Sequence, residues 1–174
     1  MLDENRIKEA ERNVKSYIED GLLKEEQLNK KIYGIIVRNA QESLDVADFL
    51  RQNNKSDLWI IVSSYYAMYY IANAVLYKQS YKVGEKISHK VTADALIVFV
   101  RHKLKKSLLE NYEEAQQQAL AGIKADELIE KFNFEREKRS FVQYEMKEAE
   151  IHSKASTSLQ RAKEFMFEMK KLLV

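Results

Sequence analysis

From Leu58 to Tyr77 the chain reads LWIIVSSYYAMYYIANAVLY, twenty residues without a formal charge in a sequence that is 32% charged. Wound as a helix, this stretch leaves no side for water. Trp59, Val62, Tyr66, Tyr69 and Leu76 mark one face, and Ile61, Tyr65, Met68, Ala72 and Val75 another. A helix that is apolar all round is one that other helices surround. On the third side, Ser63, Ala67, Tyr70 and Ala74 are mostly small and admit a close neighbour. The length would also cross a bilayer. Its serines and most of its tyrosines lie mid-segment, however, whereas membrane helices keep tyrosines at the interfaces, and the amphipathic remainder of the chain needs an apolar centre. The stretch is therefore predicted to be the central helix of a soluble protein with no membrane partner.

A chain of 174 residues suits a single domain, residues 1–174, long enough to bury roughly 70% of its unfolded surface. Cysteine is absent, which rules out disulfides, thiolate metal sites and cysteine nucleophiles. That composition is compatible with a reducing, cytoplasmic setting. The residues after Met1, LDENRIKEAE, are too charged for an export signal. A net charge of +2 argues against a surface coated in positive potential, but permits a local basic groove. With no proline and four glycines, the chain reads as all-α: an antiparallel bundle of five to six helices.

In chain order, residues 3–20 form an acid-headed peripheral helix that stops at Gly21, so residues 1–24 stand as an extra N-terminal element. A second helix over 25–52 repeats Ile32, Ile36, Asn39, Ser43, Ala47 and Leu50. Asn53 to Ser56 break it, and Ser56 or Asp57 caps the central helix. KQSYKVGEKIS reads as a loop, and Ser88 as the cap of a helix over 89–106. A helix over 107–132 is weakened at Gly122. FNFEREKRSFVQYEM reads as a helix end and a connection, and a last helix covers 153–173.

Spacing removes several chemistries. Neither a phosphate-cradling glycine loop nor a nucleophile elbow is present, and His89, His102 and His152 lack the helical spacing of metal ligands. No metal and no cofactor is implied. Two places remain. Arg136, Arg139 and Tyr144 would suit a phosphodiester, which an arginine binds bidentately; on spacing alone, the arginines equally suit pairing with Glu135 and Glu137. His89 and Lys90, where a loop enters a helix, would suit an anion on backbone amides; there Ser88 serves equally as a plain cap.

Ser64-Tyr-Tyr-Ala-Met-Tyr-Tyr70, then Ser88-His89-Lys90, then Arg139 and Tyr144 with four residues between them, resemble in this order the motifs of the HEPN family, the higher eukaryote and prokaryote nucleotide-binding domains. The resemblance covers residues 32–174. It implies a helical bundle, usually a homodimer, whose active members cleave RNA without metal at an Arg–His motif, many as toxins paired with a nucleotidyltransferase antitoxin. It assigns the phosphate contact to Arg139 and places Tyr144 where the family has histidine. A phenol titrating near 10 is a poor general base beside an imidazole near 6.5, so the ribonuclease motif is degenerate here. The resemblance points to an RNA- or nucleotide-binding protein with Arg136, Arg139, His89 and Lys90 on the ligand, and with Tyr65 or Tyr69 reaching toward Arg139. Two alternatives stay open: a metal-independent endoribonuclease using His89 or His102, and a non-catalytic adaptor that binds another protein.

Overall fold

The computed structural model describes residues 2–132 and 141–174, and the side-chain surroundings at 2–124 and 151–174. α1 (Glu4–Glu19) starts where the Asp3 carboxylate accepts from the Arg6 amide at 2.8 Å. It stops before Gly21, whose φ of +69° is left-handed. After it come β1 (Leu23–Glu25), α2 (Lys30–Gln52), α3 (Asp57–Lys78), β2 (Tyr81–Val83) and α4 (Ser88–Phe99). A short 3-10 turn (Arg101–Lys103), α5 (Lys106–Phe132) and α6 (Phe141–Lys171) complete the order. The protein is an all-α bundle with six α-helices among the described residues.

α3 is its axis. α2 lies antiparallel along it after a tight turn, with Asn54 at φ +49° and Ser56 accepting from the Trp59 amide at 3.4 Å. α5 is antiparallel to α3 as well, with Tyr112 beside Tyr65 and Gly122 against Leu58. α6 runs parallel to α3, from the His152–Asp57 contact to the bond that Lys78 Nζ donates to the Val174 carbonyl. Tyr65, Met68, Ile71 and Leu76 of α3 are fully buried, together with Leu96, Tyr112 and Phe165 from three other helices. Each such side chain contributes roughly 1.5–3 kcal/mol by leaving water. α3 has the length and composition of a membrane span, yet 67% of its most apolar stretch is covered by the fold, as in the core helix of a soluble bundle.

Several sequence expectations need correction. α2 begins at Lys30, capped by Asn29, because Leu23–Glu25 pairs instead with Tyr81–Val83 in an antiparallel two-stranded sheet. Three-residue strands are too short to display a period of two. α4 ends at Phe99, and Ile87 rather than Ser88 holds its N-cap position. α5 continues through Gly122, where a Cβ would come within 2.5 Å of Leu58 Cδ1. That glycine serves close helix packing and is no break. α6 starts at Phe141, twelve residues earlier than the sequence suggested.

α1 is less peripheral than its thin apolar stripe implied. Asp94 of α4 is fully buried, and three side chains of α1 converge on it. Arg6 donates to Oδ1 at 2.6 Å, while Asn13 and Tyr17 each donate to Oδ2 at 2.9 Å. A buried carboxylate is tolerated only with such compensation. This network fixes α1 against α4, and so braces the helix whose other end carries His89.

Candidate functional site

The open side of α3 lies between α2 and α4. Trp59, Ser63, Tyr66 and Tyr70 follow at intervals of four, three and four residues, one face of a helix. The sequence leaves no face of this helix for water. In the fold, Trp59 is 51% exposed, and Tyr66, Tyr69 and Tyr70 are half-buried. Tyr65, packed against Tyr112 of α5, is by contrast fully buried.

At the edge of the strip, α4 delivers His89 into a nest of tyrosine rings. Its ring centroid lies 4.5 Å from that of Tyr69, 5.5 Å from Tyr65 and 5.8 Å from Tyr66, the last edge-on. The Tyr65 hydroxyl and His89 Nδ1 are 2.7 Å apart. Burial holds the Tyr65 phenol well above its ordinary range, and burial also pushes the His89 imidazole below 6.5. Both groups are therefore neutral at pH 7. Tyr65 keeps its proton, and in the tautomer in which Nδ1 accepts it the ring's own proton sits on Nε2. Behind Tyr65, Tyr112 packs with ring centroids 5.9 Å apart, fully enclosed, its own phenol raised by burial.

The entry to α4 suits an anion. Ile87 occupies the N-cap position at φ +44°, an unusual conformation for a β-branched residue, and offers no side-chain cap to the first amides. Lys90 is exposed one residue beyond His89. Helix position is fixed from α3: Thr92 Oγ1 donates to Asn73 Oδ1 at 3.3 Å and to the Ser88 carbonyl at 2.8 Å. Asn73 in turn donates to the Tyr69 carbonyl. A neutral imidazole presenting Nε2–H, an uncapped helix start and stacked phenols can bind a phosphate and a base together.

Of the residues singled out by sequence, His89 and Lys90 come together at this site. Arg136 and Arg139 lie outside the described residues. Tyr144 falls within α6, with its side chain outside them. The Tyr65 hydroxyl meets His89 Nδ1, and its expected approach to Arg139 falls on a residue outside the described ones. His102 belongs to the turn after α4, about 18 Å along that 12-residue helix from His89, so the two histidines do not share a site. Among the described residues no group of histidines and carboxylates has the arrangement of a metal site. Sequence reading missed Asp94 and Tyr112. For Asp94 the available signal was a lone acid inside the apolar run VTADALIVFV. No protein-family model, curated protein or solved structure gives a significant match to this chain.

Proposed function

We propose that this chain is a HEPN-like protein that binds single-stranded RNA or a nucleotide. In this reading it acts in the cytoplasm as a homodimer beside a nucleotidyltransferase partner, as a relative of a toxin-antitoxin pair. The observation that carries it is His89, held neutral among Tyr65, Tyr66 and Tyr69 at the uncapped start of α4. Arg139 supplies the phosphate contact that the family resemblance assigns to it, with Arg136 close by in the sequence. Binding is favoured over cleavage in the tautomer in which Tyr65 engages the Nδ1 lone pair of His89, because a general base needs that lone pair.

Fluorescence anisotropy with a labelled single-stranded RNA tests the reading. Affinity falls steeply with salt, and Tyr69→Ala or Arg139→Ala each weakens it by about tenfold, the scale of one stacked base or one charged contact. Binding unchanged in both variants would remove the assignment. RNA incubated with the protein in EDTA stays intact. Cleavage under those conditions would restore the ribonuclease alternative.

One observation favours the adaptor reading: Ile35, Val46 and Phe49 expose apolar side chains along α2, Phe49 by 62%. A protein complex that survives high salt and excludes RNA is its mark.

A further inference from the structure

Between α2 and α3 runs a groove of about 320 Å³, near the lower end of the range for small-molecule sites. Trp59, Tyr66 and Tyr70 line it from α3, and Asn39, Glu42 and Val46 from α2. It adjoins the His89 nest, because Tyr66 belongs to both. Three aromatic rings beside one amide and one carboxylate form a chemically definite set. The rings offer faces for stacking a flat heterocycle. Among the described residues no hydrogen bond takes up the Asn39 side-chain amide, and Glu42 has only a loose pairing with Arg38 at 3.5 Å, both groups about two-thirds exposed.

We infer that this groove is a base subsite selective for guanine. The inference rests on the RNA- or nucleotide-binding reading above. A carboxylate accepts two hydrogen bonds side by side, and guanine alone among the common bases presents N1–H and N2–H next to each other, with the O6 acceptor adjoining for the Asn39 amide. Adenine would turn the unprotonated N1 lone pair toward Glu42 and its exocyclic amine toward Asn39 Nδ2. Uracil matches the amide and one carboxylate oxygen, but lacks the second N–H. Beyond the base, the chain of the ligand passes Tyr66 and brings a phosphate to His89 Nε2–H and the start of α4. The site therefore takes a guanosine nucleotide, alone or as one residue of a single-stranded RNA.

Trp59 is the chain's one tryptophan, so its fluorescence reports on this groove without a label. Titrating the full chain with guanosine, adenosine, uridine and inosine 5′-monophosphates should change that fluorescence. Guanosine should bind at least about tenfold more tightly than adenosine, with inosine between them, as expected for losing one well-formed edge contact. Glu42→Gln, at an exposed position, should leave the fold intact by circular dichroism and lower guanosine affinity about tenfold while sparing adenosine. Equal affinities for all four nucleotides would overturn the inference, as would an unaltered guanosine preference in Glu42→Gln. So would a groove already filled by a second copy of the chain, seen as a Trp59 signal that depends on protein concentration and ignores nucleotide. Salt-sensitive, Tyr69-dependent RNA binding without base preference would defeat the guanine subsite and leave the broader reading standing. Absence of both RNA and nucleotide binding would defeat the two together.

Discussion

Replacing Tyr65 with phenylalanine deletes one oxygen at the centre of the candidate site and nothing else. In the Nε2–H tautomer the hydroxyl donates to His89 Nδ1 across 2.7 Å, and a bond in that direction exists only while the ring is neutral. Such a bond is worth about 1 kcal/mol net, so Tyr65→Phe should lower stability by about that amount in urea titration. Because the lost contact favoured the neutral ring alone, the same energy sets the shift in titration: 1 kcal/mol against 1.36 per unit raises the His89 pKa by about 0.7 units. The starting value is already below 6.5 through burial, which the variant retains. Long-range nitrogen-proton NMR of the imidazole reads both consequences. The wild type should show a pyridine-like Nδ1 and a protonated Nε2 at pH 7, and the variant should mix the two tautomers. A protonated Nδ1 in the wild type, or a His89 pKa that stays or falls in Tyr65→Phe, would refute the assigned direction of this bond.

Other perturbations give outcomes of different size. Asp94→Ala removes a fully buried charge and strands the donors of Arg6, Asn13 and Tyr17; a loss of about 3–5 kcal/mol is expected in urea titration, with α1 becoming the first segment to exchange its amide protons. Ser64→Ala should be neutral or stabilising by up to about 1 kcal/mol in thermal unfolding, since the buried Oγ has no hydrogen-bond partner among the described residues; a comparable loss would mean that a partner exists. The depressed His89 pKa means that the unfolded chain binds this proton more readily than the folded one. Its contribution to stability is therefore complete above 6.5 and is lost as pH falls through that value toward the lower folded one. Urea midpoints of the wild type should drop between pH 7.5 and 5.5 by more than those of His89→Gln.

The helices were legible where chemistry repeats along the chain. The uncharged run predicted α3, and the last helix buries Ala155, Leu159, Ala162, Met166 and Met169 at intervals of four and three residues, with Leu173 half-buried just past its end. Gly21 and Ser56 ended and began helices where their residue types suggested. What stayed hidden depends on partners far away in sequence. β1 and β2 exist because Leu23, Lys24 and Glu25 pair with Val83, Lys82 and Tyr81, far away along the chain. Gly122 looked like a break because a missing side chain carries no sign of the Leu58 methyl that fills its place. His89 was marked as a candidate, but its tyrosine nest required knowing which side of α3 faces α4. An apolar helix gives no such direction, because every side of it satisfies the same hydrophobic pattern.

The central claim is that RNA is bound where His89 meets the tyrosines of α3. Its most direct test is a titration of the isotope-labelled protein with a short single-stranded RNA, following the ring signals of His89, Tyr66 and Tyr69. These signals should shift together and saturate at one ligand concentration, with His89 Nε2–H the most perturbed. Saturable binding that leaves the three rings unmoved, and shifts instead the basic residues Lys8, Arg12 and Lys15 on α1, would contradict it.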